Sequence, residues 1–214
     1  MTKTKVNQLF RILAQHIPKP VSELRYDNHY QLLVAVILSA QCTDVAVNKA
    51  TEPLFKAAPT PEKILSLGET KLKKYIRSLG LFNNKAKSII QTSKLLIEKH
   101  QSAVPNDRRA LEKLPGVGRK TAGVVLNVAF GESEIPVDTH VFRVANRIGL
   151  VSTRTAFKTE DHLKKIIPTW VGKDAHHLLI LHGRYTCKAR TPNCDNCPIC
   201  QLCQYSDKNL SAKN

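Results

Sequence analysis

Residues 114–122 read Leu114-Pro115-Gly116-Val117-Gly118-Arg119-Lys120-Thr121-Ala122. Upstream, Asp107-Arg108-Arg109-Ala110-Leu111-Glu112-Lys113 has the pattern of a short helix with Asp107 at its N-cap. Downstream, residues 121–130 (TAGVVLNVAF) have the pattern of a mostly buried helix. Pro115 cannot continue the first helix. Gly116 and Gly118 permit a tight hairpin with a backbone approach that a Cβ would block. The result is helix–hairpin–helix, with the amides of Gly116, Val117 and Gly118 and the positive end of the second helix turned outward, a ready site for a phosphate. Arg119 and Lys120 occupy the first turn of that second helix, where cations are unfavourable. Residues placed against local stability point to a task.

The charge balance agrees with a phosphate partner. The 214 residues carry 33 Lys+Arg against 17 Asp+Glu, a formal +16, a surplus that fits a polyanion, most often nucleic acid. The length allows one large domain or two small ones with a real core. The start, Met1-Thr2-Lys3-Thr4-Lys5, lacks the apolar stretch of a signal peptide. The longest apolar run, residues 32–38, is far short of the ~18 residues a membrane span needs. A cytoplasmic protein is expected. In a reducing compartment the crowding of five of the six cysteines into residues 187–203 favours metal over disulfides.

No stretch sustains period-two alternation, so the chain reads as all-α, with nine or ten short helices. Residues 6–14 form the first, ended by Pro18 and Pro20. Asp27 or Asn28 can cap a helix over residues 29–38, apolar nearly all round and therefore central. Asp44 has the position of a cap for a helix reaching about Phe55. Pro61 opens a short helix that Gly68 closes, and residues 69–77 and 85–100 form two more. From Lys63 to Lys94 there are eight Lys/Arg and one acid, Glu69, giving a basic face that is either DNA-directed or simply solvated. Asp138 sits at the N-cap of a helix over residues 139–147. Two amphipathic segments, about 160–167 and 174–181, precede the cysteines, and residues 206–214 read as a loose tail. The N-terminal helix, without a core of its own, should pack with the C-terminal segments.

Three features carry chemistry. Cys187-x6-Cys194-x2-Cys197-x5-Cys203 supplies four thiolates, enough for a [4Fe–4S] cluster or a structural zinc. Cys200 leaves open a second ligand set, Cys194, Cys197, Cys200 and Cys203. Lys120, at a helix's positive end and disfavoured further if buried, would have a depressed pKa and could act as an amine nucleophile forming a Schiff base. Its plain alternative is a phosphate contact, as for Arg119. Asp138 is either an ordinary cap or a carboxylate that steers or deprotonates an attacking amine and stabilises a cationic sugar.

Residues 114–122, Val137-Asp138-Thr139-His140, Leu38-Ser39-Ala40-Gln41-Cys42-Thr43-Asp44, Leu181-His182-Gly183-Arg184 and the cysteine spacing together resemble the bacterial endonuclease III family of helix–hairpin–helix DNA glycosylases, over about residues 22–205. The resemblance implies a six-helix barrel domain at residues 22–131, a [4Fe–4S] cluster domain formed by residues 1–21 and 132–214, and a DNA cleft between them. It implies a bifunctional base-excision glycosylase and AP lyase acting on oxidised or damaged pyrimidines in double-stranded DNA as a monomer. Lys120 would be the nucleophile and Asp138 its partner. Cys187, Cys194, Cys197 and Cys203 would hold the cluster, leaving Cys200 spare. Gln41 and Leu81 match the positions that fill the gap left by a flipped nucleotide, which suits an amide with donor and acceptor and an apolar wedge. Asp44 and His140 match polar residues of the family's site region, though a cap and a core hydrogen bond explain them equally well. The rivals are a monofunctional adenine glycosylase of the same superfamily, which needs no amine at position 120, and a non-catalytic iron–sulfur DNA-binding or redox-sensing protein, which needs no Lys120–Asp138 pair.

Overall fold

The computed structural model describes residues 1–211, and these contain ten α-helices and no strand. The chain divides into two compact units, one of Ser22–Gly131 and one of Met1–Val21 together with the chain from Glu132 onward.

The first unit is a continuous segment of six helices: α2 (His29–Leu38), α3 (Asp44–Ala57), α4 (Pro61–Ile76), α5 (Phe82–His100), α6 (Arg108–Glu112) and α7 (Arg119–Phe130). α2 is its axis. After His29 all nine of its residues are buried, as its unbroken apolar sequence requires, and α3, α5 and α7 pack around it. Of the two candidate caps for α2, Asn28 accepts from the Gln31 amide at 2.9 Å. α4 keeps both halves expected from the sequence, joined by a kink at Gly68 with φ +76°.

Asp44 is not the cap of α3. Thr43 Oγ1 takes that role by accepting from the Ala46 amide at 3.2 Å, and Asp44 lies inside the first turn, where a carboxylate still favours the helix's positive end. The basic run 63–94 is also not wholly a surface. Lys71, Lys74, Arg77 and Lys87 are exposed, but Lys85 is buried.

The second unit joins both chain ends: α1 (Lys3–His16), α8 (Thr139–Arg147), α9 (Ala156–Ile166) and α10 (Gly172–Tyr185). Val6, Leu9, Phe10 and Leu13 of α1 enter a common core with α8 and α10, the packing expected for a helix without a core of its own. α9 begins earlier than its apolar pattern suggests because Thr155 caps it through the Lys158 amide. The tail is not loose as far as residue 211. Asn209 donates to the Pro192 carbonyl, and Ser211 bonds Asp195 through both its amide and its hydroxyl. The remainder of the expected loose tail, residues 212–214, lies outside the described residues. No helix among the described residues is long and apolar enough to cross a membrane.

Candidate active site

The hairpin between α6 and α7 is built as its residues dictate. Asp107 caps α6 through the Ala110 amide at 2.8 Å. Gly116 has φ +80°, and a Cβ there would lie 2.9 Å from Ser88 Cβ and 3.3 Å from Ile37 Cγ2, so only glycine lets the turn seat against α5 and α2. Thr92 Oγ1 pins the turn by donating to the Pro115 carbonyl at 2.9 Å. Gly118 differs, because a Cβ there would meet nothing within 4 Å. The blocking expected at both glycines therefore applies within the chain to Gly116 alone. Gly118 is exposed and caps α7 without a side-chain acceptor, so its face of the turn stays open to an outside anion. Val117 departs from expectation. Its side chain is buried and its amide donates inward to the Leu114 carbonyl at 3.0 Å, so it holds the turn rather than offering an amide outward.

Arg119 and Lys120 are the first two residues of α7 and both are exposed. The burial considered for Lys120 from the sequence is absent. Lys120 is therefore open to an incoming substrate.

Gln41 and Leu81, read from the sequence as gap-filling residues, share a conformation that the sequence did not reveal. Both are exposed and both have left-handed backbones, φ +57° and +59°. Leu81 is 57% exposed at the start of α5. An L-residue other than glycine, asparagine or aspartate held in this region costs on the order of 1–2 kcal/mol, and such strain gathers at functional positions. Both turns lie in the unit that carries Lys120.

In the other unit, Asp138 caps α8, its Oδ1 accepting from the Val141 amide at 2.7 Å. The Oδ2 atom makes no hydrogen bond or ion pair among the described residues. The carboxylate is therefore fixed in orientation by one oxygen and free at the other. His140, the second residue of α8, is half-buried. Burial pushes its imidazole below the usual histidine range, against the opposing pull of Asp138, and Arg143 and Arg184 push further down. His140 Nδ1 lies 3.3 Å from Arg143 Nη2.

The far half of α8 holds the cysteine loop, through residues that the sequence reading missed. The groups that grip the loop are Arg143, donating to the Gly183 carbonyl at 2.9 Å and the Cys187 carbonyl at 3.1 Å, and Arg147, donating to the carbonyls of Lys188 at 2.8 Å and Ala189 at 2.7 Å. Arg147 also lies over the Tyr205 ring at 4.7 Å and reaches Cys187 Sγ at 3.8 Å. Their i,i+4 spacing on α8 was the available signal. One helix thus carries the carboxylate at its start and the cysteine loop at its end.

Cys187, Cys194, Cys197, Cys200 and Cys203 all line one cavity, with His182, Ile148 and Tyr205 among its walls. About 340 Å³ of it is free of protein atoms, part of that open to solvent. Burial, with neighbouring thiols adding to it, pushes Cys197 up to about 11 and Cys203 upward as well. The five thiols share one cavity in a loop without helix, which makes them the candidate metal ligands of the chain.

Residues 34–169 match the model of the HhH-GPD superfamily, described as base excision DNA repair proteins. The chain is 60% identical over 190 residues to the endonuclease III of Rickettsia conorii, covering 89% of this chain and 90% of that protein. It is 54% identical over 208 residues to the endonuclease III of Haemophilus influenzae, covering 97% and 99%. The chain belongs to the endonuclease III family. It superposes with a TM-score of 0.89 and 44% identity, over 95% of this chain and 96% of the other, on a trapped endonuclease III–DNA covalent intermediate with an estranged adenine. As a member, it is a bifunctional base-excision enzyme, a DNA glycosylase that is also an AP lyase.

Proposed function

We propose that this enzyme removes oxidised or ring-damaged pyrimidines from double-stranded DNA and cuts the strand 3′ to the abasic site, with Lys120 as nucleophile. The observation that carries the assignment is an exposed primary amine at the second residue of α7, two residues past an anion-ready hairpin, in a chain alike over 95% of its length to a protein trapped covalently on DNA. The unprotonated Nζ attacks C1′ of an extrahelical nucleotide. The new C–N bond forms as the glycosidic bond breaks, and the damaged base leaves with the glycosidic electron pair. Opening of the sugar ring gives a Schiff base. Loss of a 2′ proton then expels the 3′ phosphate by β-elimination, and water releases Lys120. The uncommitted oxygen of Asp138 is suited to accept the proton of the attacking amine and to stabilise positive charge on the sugar.

Binding falls to other groups. The Gly116 and Gly118 region and the positive end of α7 take a backbone phosphate, with Arg119 neutralising its charge, contacts that position the DNA without reading its sequence. Gln41 and Leu81 occupy the space vacated by the flipped nucleotide. Flipping costs a few kcal/mol and least at damaged bases, which contributes to selectivity.

The cofactor that suits this chain is a [4Fe–4S] cluster on Cys187, Cys194, Cys197 and Cys203. An all-sulfur donor set around a shared cavity fits iron–sulfur chemistry. Membership of the endonuclease III family favours iron over a single structural zinc on these thiols. When bound there, such a cluster would supply iron–thiolate bonds to these four residues. Cys200 remains spare. In this assignment residues 22–131 are the six-helix barrel domain and the other unit is the iron–sulfur domain. The enzyme acts as a monomer on duplex DNA, in the bacterial cytoplasm at the nucleoid.

Borohydride reduction of the enzyme mixed with duplex DNA holding an abasic site or an oxidised pyrimidine tests the nucleophile. A covalent adduct is expected with the wild type and none with Lys120→Ala. A wild-type protein that cannot be trapped overturns the lyase mechanism, and an adduct that survives in Lys120→Ala reassigns the amine.

A further inference from the structure

Lys85 is a buried lysine that none of the chemistry above uses. It is 5% exposed, and among the described residues no carboxylate pairs with it. A buried ammonium needs all its protons engaged. Lys85 Nζ donates to the Leu38 carbonyl at 2.9 Å, to the Ala40 carbonyl at 2.7 Å and to Cys42 Sγ at 3.2 Å. Leu38 is the last residue of α2, so the charge sits against the negative end of that helix and satisfies one of its orphan carbonyls. The three acceptors surround Gln41 on both sides in sequence. The turn is also held at its start by Ser39 Oγ donating to the Val36 carbonyl at 2.8 Å, and closed by the Cys42 amide donating to the Ser39 carbonyl at 3.0 Å.

The main chain of the same residue is tied to the other strained turn. The Lys85 amide donates to the Leu81 carbonyl at 3.0 Å, closing the first turn of α5 directly behind Leu81. One residue therefore grips the Gln41 turn with its side chain and the Leu81 turn with its backbone. Two left-handed, exposed residues 40 positions apart in sequence are mounted on a single post.

We propose that Lys85 is a positioning residue that joins the Gln41 and Leu81 turns into one rigid element for entering the duplex. A side chain that replaces a flipped nucleotide must push against stacked bases, and a turn that yields cannot hold them apart. The ammonium is suited to this because three divergent donors fix three acceptors at once, which no neutral side chain of its length can do. The inference rests on the assignment of Gln41 and Leu81 as the gap-filling pair.

The test uses the holoenzyme and a duplex with an oxidised pyrimidine opposite 2-aminopurine, whose fluorescence rises when its partner base leaves the stack. Lys85→Met should lower the fluorescence rise and the single-turnover base-excision rate by about tenfold or more. Borohydride trapping on a pre-formed abasic duplex, where there is no damaged base to unstack, should fall no more than about twofold. Gln41→Ala should lower the same fluorescence signal, and the double variant Gln41→Ala/Lys85→Met should be no worse than the worse single variant, because Lys85 acts through that turn. Additive losses, or equal losses in excision and trapping, overturn the inference and leave Lys85 a plain core residue. If Gln41→Ala and Leu81→Ala leave the signal unchanged, the gap-filling assignment fails instead. Should Lys85→Met not yield folded protein, Lys85→Gln, which keeps a donor but shortens its reach, carries the same readouts with the same expected split.

Discussion

Residues 22–131 and the cysteine loop at 186–205 solve the same problem by different means. In the former, six helices satisfy the backbone, and α2 is surrounded by apolar neighbours on every side. In the latter no helix forms. Ile199 is the loop's fully buried aliphatic side chain, and its carbonyls are held by Arg143, Arg147 and the loop's own turns. A chain segment with so little apolar surface cannot offset the entropy of its own ordering. The helical unit is thus stabilised by burial and the loop by polar grips and, in the assignment above, by iron–thiolate bonds. The difference teaches where each should fail.

The largest effect should follow the removal of a ligand. Cys194→Ser is expected to abolish the broad visible absorption and iron content of the purified protein, while Cys200→Ser leaves both intact. Freshly isolated wild-type protein with zinc and no iron, or the reverse order of the two variants, breaks the cofactor assignment. Next comes the free oxygen of Asp138. Asp138→Asn keeps a cap acceptor for the Val141 amide but removes the charge, so excision should slow on the order of 100-fold with little change in melting temperature. An equal loss of both would make Asp138 a cap and nothing more.

A smaller effect is expected inside the helical unit. Tyr30 and Ser93 share a buried hydrogen bond of 2.5 Å, and Ser93 Oγ also donates to the Ile89 carbonyl at 2.7 Å. Tyr30→Phe leaves Ser93 with that partner, so the cost should be about 1 kcal/mol, measurable by denaturant unfolding. A cost of several kcal/mol would show that this unit, too, depends on polar contacts.

The smallest effect is in pH, and it separates the units by sign. Burial pushes His177 of α10 below the usual histidine range, with Asp174 opposing and Arg184 adding to the shift. Its contribution is complete above about pH 6.5, where folded and unfolded forms are both neutral. It is lost as pH falls, because the unfolded chain takes up the proton first. Burial pushes the Tyr30 hydroxyl well above the usual tyrosine range. Its contribution is complete below about pH 10 and lost as pH rises, because the unfolded chain gives up the proton first. Hydrogen exchange followed separately in the two units should show α10 opening toward acid and α2 toward alkali. The same sign in both would break the contrast.

Much of this was legible in the chain. The hairpin, the central apolar helix and the cap at Asp138 are local matters, set by proline, glycine, apolar period and a side-chain acceptor within four residues. So is the packing of α1 with the C-terminal segments, since an amphipathic helix must bury its face somewhere. Other features depend on groups far apart in sequence. Nothing local marks Lys85 as different from the exposed lysines around it. Its burial follows from carbonyls 45 and 47 residues away. Arg143 and Arg147 meet carbonyls more than 40 residues distant, and the left-handed backbones of Gln41 and Leu81 persist only because surrounding structure imposes them. Sequence by itself determined the helices, the family and the residue types capable of the chemistry, because those rest on covalent identity and short-range periodicity. Only the tertiary structure decided that Val117 turns its amide inward, that Lys120 stands in solvent and that Lys85 does not, because the environment of an amide or an ammonium is made by residues that the chain brings together last.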